Sequence, residues 1–336
     1  MGTLLRGRHF ITTQDFTKEE IDLMLETSFD LKRRFARDEL TPWLLYKTVF
    51  MIFYDESTRT RNSIEAGITQ LGGHAHYLVP EMMQAHHGET PADTAKVLSR
   101  FGHAIAVRHC AFGQGNKFLR DLAANSNVPV LNLQDDVYHP MQVLADLMTI
   151  QERFGKNLKG LKVGISWAYA ESHLKPLSVP QSQILLFARY GMDITLAYPE
   201  GFDLMPDIVK QAKLNAEAGE GKLTITHNMD EAFKDADVVI PKSWGGFYTI
   251  PNPLEADKYK DKIWAEAAKH KDWICDERRM SLTKKHSVYM HALPADRGKE
   301  VVDSVIDGPH SIVWDEAENR LHTAKAVMAL TMGGRP

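Results

Sequence analysis

The chain has 336 residues, of which 43% are hydrophobic and 25% are charged, a size and composition that predict two globular domains. A formal net charge of -4 argues against nucleic acid as a partner. Only two cysteines occur, Cys110 and Cys275, without the spacing of a zinc site, which favours a reducing compartment. No apolar run reaches the roughly 18 residues that a membrane helix needs, so we expect a cytoplasmic protein without membrane contact.

Short apolar or β-branched runs alternate with helical patterns from about residue 46 onward. The first half predicts strands at 47–54, 74–79, 104–109 and 128–133, with helices at 60–73, 90–102 and 116–126 between them. The second half predicts strands at 161–169, 193–199, 222–227, 237–244 and 287–293, with helices at 179–191, 206–219 and 229–236 between them. Such alternation predicts parallel sheets that helices cover on both faces.

Long helical patterns mark the domain organisation. Residues 139–155 form a connector between the two series, which places the first domain at 1–150 and the second at 151–315. A final helix, at about 316–336, is expected to pack back on the first domain. The predicted fold class is α/β, with two doubly wound parallel-sheet domains joined by long helices.

The stretch DESTRTRNS, residues 55–63, places two arginines and several hydroxyls where a strand gives way to a helix. A helix N-terminus favours an anion, and arginine adds a bidentate fork for phosphate oxygens, so a phosphate site is one interpretation. The other is a helix-capping serine beside two solvated arginines. The stretch is not a Walker A loop, and no GxGxxG motif follows any predicted strand.

Four motifs decide between these interpretations by resemblance. FYDESTRTRNSIEAGITQLGG, HPMQVLADLMT, HALPADRGKEV and DEAENRLHTAKA occur in order along nearly the whole chain, and together they resemble the aspartate/ornithine carbamoyltransferase superfamily. The resemblance implies an enzyme that transfers the carbamoyl group between carbamoyl phosphate and an amine, without a cofactor or a metal. It also implies a homotrimer with shared active sites.

The resemblance assigns a role to each matching residue of the first domain. The residues implied to hold the phosphate are Ser57, Thr58, Arg59 and Thr60, with Arg61 bracing their loop. The residues implied to contact the carbamoyl group or bridge it to the phosphate are Arg108, His139 and Gln142. Arg320 matches an arginine that moves in on domain closure, and Gln84 matches a glutamine that reaches carbamoyl phosphate from a neighbouring subunit.

Each of these residues also has a structural interpretation. Taken alone, His139 is a helix N-terminal residue before a proline, Arg108 a surface arginine, and Arg320 an i,i+4 partner of Glu316. The joint occurrence of the motifs favours catalysis. In carbamoyl transfer, negative charge builds on the carbonyl oxygen, and donors such as Thr60, Arg108 and His139 would stabilise it.

The acceptor motifs depart from those of ornithine enzymes. Where those enzymes have DxxxSMG and HCLP, this chain has KSWG, residues 242–245, and HALP, residues 291–294. KSWG and the proline-bearing loop YAESHLKPLSVPQSQ resemble the knotted transcarbamylases, which implies a trefoil-type knot in the second domain. The predicted acceptor-binding residues are Lys242, Ser243, Trp244, Gly245, Lys175, His291, Ala292 and Leu293. For Trp244, packing in the core is an equally good interpretation.

Three functions remain open at this stage. The first is carbamoyl transfer that involves a ureido acid such as 2,3-diureidopropionate, which resemblance to the other knotted branch implies in purine breakdown. It is favoured because N-acylornithine enzymes have a lysine where this chain has Glu300. The second function is ornithine or N-acylornithine carbamoyl transfer. The third, of another class, is an inactive regulator that binds a phosphate ligand.

Overall fold

In the computed structural model, which describes residues 5–171 and 174–333 apart from the side chains of Ala85 and His86, strands and helices alternate along the chain. The chain divides into two compact units. The first comprises the residues up to Met148 and those from Glu318 onward, and the second comprises Thr149–Ala317. The sequence analysis placed the first domain at residues 1–150, the second at 151–315 and the final helix at about 316–336.

The first unit is built around four parallel strands in the order β2-β1-β3-β4. In chain order its elements are α1 (Lys18–Phe35), β1 (Thr48–Phe53), α2 (Thr58–Gln70), β2 (His74–Leu78), α3 (Pro91–Phe101), β3 (Ala104–His109), α4 (Gly115–Asn125), β4 (Val130–Asp135) and the first part of α5 (Pro140–Phe154). The central strands are apolar and buried almost throughout, as expected for a parallel sheet that helices cover on both faces. The segment at Phe10 pairs with Leu131 and protects the edge of β4.

The second unit contains five parallel strands in the order β7-β6-β5-β8-β9. Its elements are β5 (Lys162–Trp167), α6 (Ser178–Arg189), β6 (Asp193–Ala197), α7 (Pro206–Gly219), β7 (Lys222–Thr226), α8 (Met229–Phe233), β8 (Val238–Lys242), α9 (Lys260–Ala267), α10 (Glu277–Met280), β9 (Val288–Tyr289) and α11 (Asp303–Ile306). The last helix, α12 (Val313–Met332), begins in this unit, and its residues from Glu318 onward belong to the first.

All nine predicted strands are present, and the α/β class with two parallel sheets is confirmed. The strand predicted at 287–293 was too long, because only Val288 and Tyr289 pair with β8. Beyond them Leu293 adopts a φ of 53°, which lies outside the strand region. Helix α1 was not predicted, although Thr17 and Glu20 form a capping box at its start.

The strand order creates a switch point in each sheet. In the first unit the chain leaves β1 toward β2 on one side and returns to β3 on the other. In the second unit β5 is followed by β6 on one side, and β8 lies on the other. In open α/β sheets, ligands bind outside the carboxyl ends of the strands at such a point. The residues that follow β1 and β3, and those that follow β5 and β8, therefore occupy the favoured positions.

Helix α12 packs closely on α2 within the first unit. A Cβ atom at Gly67 of α2 would lie 3.1 Å from Met328 Cε and 3.2 Å from Lys325 Cγ, so glycine permits this approach. Lys325 is 1% exposed, and its ammonium donates a hydrogen bond of 2.9 Å to Gln70 Oε1 at the end of α2. Burial lowers the pKa of Lys325 from 10.5 to about 8.

The first prediction concerns this buried lysine. Between pH 8 and 10.5 the unfolded chain holds more protons at Lys325 than the folded chain, so this residue makes stability rise with pH in that interval. The quantity to compare is the free energy of unfolding of Lys325→Met minus that of wild type. We expect this difference to be more favourable to the variant at pH 7 than at pH 10.5, by on the order of 2 to 3 kcal/mol. Urea unfolding of wild type and variant at several pH values measures this difference.

Lys117→Met is the matched control, because Lys117 lies on α4 with its side chain 76% exposed beside Asp121. Its stability relative to wild type should stay constant within about 0.5 kcal/mol across the same pH interval. A difference between wild type and Lys325→Met that does not change with pH would contradict the lowered pKa of Lys325.

Candidate functional site

The loop after β1 leads directly into the N-terminus of α2. Ser57 caps the helix, because its hydroxyl accepts a hydrogen bond of 3.2 Å from the Thr60 backbone N–H. Thr58 is exposed, Arg59 is half-buried and Thr60 is 3% exposed. The positive dipole end of α2 therefore lies beside an arginine and several hydroxyls, which is a favourable environment for an anion.

Arg61 lies one residue further and binds within the unit. Its Nε atom is 3.4 Å from Glu65 Oε2, and its guanidinium lies 3.7 Å from the centre of the Tyr77 ring on β2. Arginine over an aromatic face is a favourable cation–π contact. Arg61 thus fastens the first turn of α2 to the neighbouring strand, in agreement with a bracing role.

Arg108 lies at the carboxyl end of β3, in register with Phe53 at the end of β1. It is half-buried rather than a surface arginine, and its Nη1 donates a hydrogen bond to Gln134 Oε1 on β4. Its backbone carbonyl accepts from Tyr54 N–H at 2.9 Å. Arg108 therefore occupies the switch point of the first sheet, directly beside the strand that leads to Ser57.

Arg320 connects three of the predicted motifs. It is 3% exposed on α12, and its guanidinium donates to Thr60 Oγ1 at 2.9 Å and to Gln142 Oε1. Gln142 in turn donates 2.7 Å from Nε2 to Asp146 Oδ1 one helical turn along α5. Residues from α2, α5 and α12, which are far apart in sequence, therefore lie within one hydrogen-bonded group.

His139 directly precedes α5 and is 3% exposed. Its carbonyl accepts from the backbone N–H groups of Gln142 at 3.1 Å and Val143 at 3.2 Å, which is the bonding of a helix N-terminal residue. His139 thus has the structural position that its proline neighbour predicts and lies three residues from Gln142. Gln84 is exposed in a short 3-10 turn after β2, outside this hydrogen-bonded group.

In the second unit a buried carboxylate joins several predicted acceptor residues. Glu300 is 0% exposed. Its Oε2 accepts from Lys175 Nζ at 2.8 Å and from Asp296 N–H at 2.7 Å, and its Oε1 accepts from Ser243 N–H at 2.6 Å. Lys175, 3% exposed, also lies 3.2 Å from Asp296 Oδ1. The lysine is therefore neutralised by two carboxylates inside the unit.

His291 lies against the same carboxylate as a neutral imidazole. Leu293 N–H donates to its Nδ1 at 2.8 Å, so the ring proton is on Nε2, which lies 3.4 Å from Glu300 Oε1. Burial lowers the pKa of His291, and Glu300 opposes that shift. Burial raises the pKa of Glu300, but His291, Lys242 and Lys175 outweigh it, so this carboxyl has a pKa well below its usual range.

The KSWG loop begins at the end of β8, beside β5 at the switch point. Lys242 is 8% exposed, and Trp244 is 1% exposed with its indole N–H donating 2.8 Å to the Phe202 carbonyl. The burial of Trp244 favours the packing interpretation over a pocket wall. Gly245 N–H donates 2.8 Å to the Lys175 carbonyl, which ties this loop to the one after β5. Ala292 is buried and Leu293 half-buried.

A cavity of about 460 Å³ opens beside β6, and it shares no lining residue with the predicted acceptor set. Its walls include Tyr198, Asp203, Lys210, Lys213 and Tyr248. Within the described ranges, no group of three or more His, Cys, Asp and Glu side chains could hold a metal ion. No helix there is long and apolar enough to cross a membrane.

Sequence reasoning missed two residues that organise these groups. Gln134 follows the apolar run of β4, and only its register with Arg108 shows its importance. From the sequence, Glu300 was notable only because N-acylornithine enzymes have a lysine there. In the structure its carboxylate accepts hydrogen bonds from three segments of the second unit. A buried acidic residue is rare unless it is paired, but burial at that position could not be read from the sequence.

Comparison with known proteins identifies the family. Residues 8–152 match the carbamoyl-phosphate binding domain of the aspartate/ornithine carbamoyltransferases, and residues 175–331 match their Asp/Orn binding domain. The second match includes most of α12, which the structure assigns to the first unit from Glu318 onward. The chain belongs to the aspartate/ornithine carbamoyltransferase family. It is a carbamoyltransferase that uses carbamoyl phosphate.

Individual relatives differ in what they carbamoylate. The chain is 40% identical to an ornithine carbamoyltransferase of Pyrococcus horikoshii, covering 99% of this chain and 98% of the relative. It is 36% identical to the putative carbamoyltransferase YgeW of Escherichia coli, covering 99% and 91%. The structure resembles an N-acetyl-L-ornithine transcarbamylase variant complexed with carbamyl phosphate and N-succinyl-L-norvaline, with a TM-score of 0.87, 34% identity and coverage of 96% and 99%.

The second prediction concerns the buried pair of Lys175 and Glu300. Removal of one partner leaves the other charge uncompensated, so we expect Glu300→Gln and Lys175→Met each to destabilise the protein by on the order of 3 kcal/mol. The double variant should lose less than the sum of the two, with a coupling energy of about 2 kcal/mol. Urea unfolding of wild type, the two single variants and the double variant measures these losses and the coupling energy.

The exposed pair of Lys159 and Glu220 is the control, with side chains 57% and 73% exposed. The same cycle at that pair should give a coupling energy below about 0.5 kcal/mol. Strictly additive losses at Lys175 and Glu300 would show that the buried contact does not contribute as proposed.

Proposed function

We propose that this carbamoyltransferase acts between carbamoyl phosphate and an amino group of a small carboxylate-bearing acceptor, with a ureido acid such as 2,3-diureidopropionate as the favoured substrate. In that case the physiological direction is toward carbamoyl phosphate, because the ureido group donates the carbamoyl unit to phosphate. One observation carries the assignment of the reacting site. The Arg320 guanidinium donates hydrogen bonds to Thr60 and Gln142, which brings residues of three motifs together at the start of α2.

The phosphate of carbamoyl phosphate would lie at the N-terminus of α2. Ser57, Thr58, Arg59 and Thr60 supply hydroxyl, backbone and guanidinium donors there, and Arg108 reaches the same end of the sheet from β3. A helix N-terminus with an arginine fork suits a dianion because it provides both directed donors and a positive potential. Arg320 is already bound to Thr60 in this structure, so its proposed closure movement would start from that contact.

The transition state of carbamoyl transfer is tetrahedral, and its carbonyl oxygen carries growing negative charge. We assign Thr60, Arg108 and His139 as donors to that oxygen, each worth about 3 kcal/mol by analogy with measured oxyanion donors, or on the order of 100-fold in rate. The Thr60 hydroxyl accepts from Arg320, so its own hydrogen is free to point toward the substrate. Gln142 would contact the carbamoyl amide, and the departing phosphate can take the amine proton.

The acceptor would bind in the second unit, at the switch point after β5 and β8. Lys175 is neutralised by Glu300 and Asp296, so it is a poor partner for a substrate carboxylate. Lys242 also acts on Glu300, but it ends β8 at the switch point and is the better candidate because of that position. Ser243, Gly245, His291, Ala292 and Leu293 would shape this subsite, while Trp244 would support it from the core.

The second candidate is carbamoylation of ornithine or an N-acylornithine. Its support is the 40% identity to the ornithine enzyme of Pyrococcus horikoshii and the similarity to the N-acetyl-L-ornithine transcarbamylase. Against it stand Ala292 in place of the HCLP cysteine and Glu300 in place of the N-acylornithine lysine. A catalytically inactive phosphate-ligand regulator is the alternative of another class, and it predicts no turnover with any amine or ureido acid.

Several finer predictions accompany this proposal. A homotrimer with shared active sites would bring Gln84, exposed in its turn after β2, to carbamoyl phosphate of a neighbouring subunit. The trefoil-type knot in the second domain, the absence of a cofactor and the cytoplasmic location stay predictions. The loop after β5 includes residues 172 and 173, which lie outside the described residues.

The third prediction concerns the identity of the acceptor, which a panel of candidate substrates tests. We expect phosphorolysis of 2,3-diureidopropionate, with carbamoyl phosphate as the measured product, to exceed phosphorolysis of citrulline and N-acetylcitrulline by at least about 100-fold in kcat/KM, a difference of roughly 3 kcal/mol in the transition state. The forward assay measures ureido product from carbamoyl phosphate with ornithine, N-acetylornithine and 2,3-diaminopropionate. Faster turnover of citrulline would reverse the order of the two candidates, and no turnover of any compound would support the regulator.

The fourth prediction concerns the carbamoyl-phosphate residues. Arg59→Ala and His139→Ala should each lower kcat/KM for carbamoyl phosphate by about 100-fold or more, because each removes a donor to the phosphate or to the developing oxyanion. Circular dichroism should show that both variants remain folded. Arg120→Ala is the matched control, since Arg120 is an exposed arginine of α4 near Asp15. Wild-type rates in Arg59→Ala or His139→Ala would contradict the assigned site.

A further inference from the structure

Gln134 and Arg108 face each other across neighbouring strands. Arg108 is in register with Gln134, after a shift between Val107 and Arg108 that skips Leu133. Such an irregularity re-aims the side chains that follow it. Gln134 is 6% exposed, and its Oε1 accepts a hydrogen bond from Arg108 Nη1. The buried amide therefore fixes one end of the guanidinium at the carboxyl edge of the sheet.

The bond to Gln134 uses only one of the five guanidinium N–H groups. The Nε of Arg108 is buried and has no hydrogen-bond partner within residues 5–171 and 174–333. No carboxylate of the described part of the chain forms an ion pair with Arg108. A buried donor without a partner is costly, so this arginine is prepared for a ligand that brings acceptor oxygens.

The nearby acidic residues are already bound by other donors. Asp55 accepts from Cys110 N–H at 2.7 Å. Asp136 accepts from the N–H groups of Gly113 and Asn116, both at 2.7 Å. Asp135 accepts from Asn116 and Asn132 side chains at 2.7 and 2.9 Å. These carboxylates shape the loops around β3 and β4, while the group that touches Arg108 is an uncharged amide.

We propose that Gln134 is a positioning residue for Arg108. It holds the guanidinium in place through one neutral hydrogen bond and leaves its positive charge and remaining donors for a dianionic phosphate ester or acyl phosphate. A carboxylate at position 134 would hold the arginine equally well but would neutralise the charge that the substrate needs. The inference rests on the proposed role of Arg108 at carbamoyl phosphate.

Two substitutions of Gln134 distinguish the proposed role from a purely structural one. In the proposed role Gln134 positions Arg108 and leaves the positive charge of Arg108 for the substrate. Gln134→Glu keeps the shape and the acceptor oxygen but adds a negative charge, whereas Gln134→Met keeps the approximate length and removes the acceptor. If Gln134 only supported the fold, Gln134→Glu would be the milder change. We expect the opposite order for carbamoyl phosphate, with KM raised about 30-fold or more in Gln134→Glu and about 5- to 10-fold in Gln134→Met, while KM for the acceptor changes less than about 3-fold in both.

Steady-state kinetics in both substrates measures this, and calorimetry with phosphonoacetamide, a non-hydrolysable dianion, measures binding directly. Gln114→Glu is the matched control, because it makes the same charge change at an exposed position at the start of α4 and should leave both KM values unchanged. Equal KM values for wild type and Gln134→Glu, or a weaker effect in Gln134→Glu than in Gln134→Met, would overturn the proposal.

Arg108→Ala distinguishes failure of this inference from failure of the proposed function. A normal KM for carbamoyl phosphate in Arg108→Ala would remove Arg108 from the site, and both proposals would fall. A large loss in Arg108→Ala together with normal binding in both Gln134 variants would reject only the role of Gln134. If Gln134→Glu does not fold, Gln134→Met decides alone, and a KM within about 2-fold of wild type would reject the proposal.

Discussion

The structure of the first unit depends on one buried arginine, which reaches two helices at once. Arg320 lies 260 residues from Thr60 and 178 residues from Gln142 in sequence, yet it donates to both side chains. A planar fork can satisfy two acceptors in fixed directions, which an ammonium group could not do with the same geometry. The contact therefore aligns α2 and α5 through α12, and the close packing at Gly67 keeps α12 near α2 along its length.

This arrangement explains why the last helix belongs to the first unit. The second family match extends to residue 331, but the side chains of α12 beyond Glu318 bind α1 and α2. Lys32 of α1 donates 2.8 Å to Asn319, and Lys325 donates 2.9 Å to Gln70. Half-buried polar contacts of this kind permit few alternative alignments, because a shifted helix would leave donors without acceptors. The chain therefore returns to its first unit through specific polar contacts as well as through apolar burial.

Much of the fold and part of the site could be predicted from the sequence. Alternating patterns located the nine strands of the described residues, and the polar residues after β1, β3 and β8 lie at strand ends as expected. Periodicity reports local structure, so it could not show that Gln134 faces Arg108 or that Glu300 binds Lys175 and Ser243, because these contacts depend on register and on distant loops. For the same reason Trp244, conspicuous in the sequence, proved to be packed in the core.

The two units compensate the charge of their basic side chains in opposite ways, and this difference matches the ligands that we propose for them. In the second unit two carboxylates neutralise Lys175, and a neutral His291 lies beside them, so the cluster is held together before any acceptor arrives. In the first unit a neutral amide holds Arg108, which keeps its charge. A dianionic leaving group needs uncompensated cations near it, whereas a small acceptor needs rigid loops and one cation for its carboxylate. The distribution of neutral and acidic partners around the basic residues thus agrees with the proposed phosphate site in the first unit and the proposed acceptor site in the second, independently of the motifs that first suggested both.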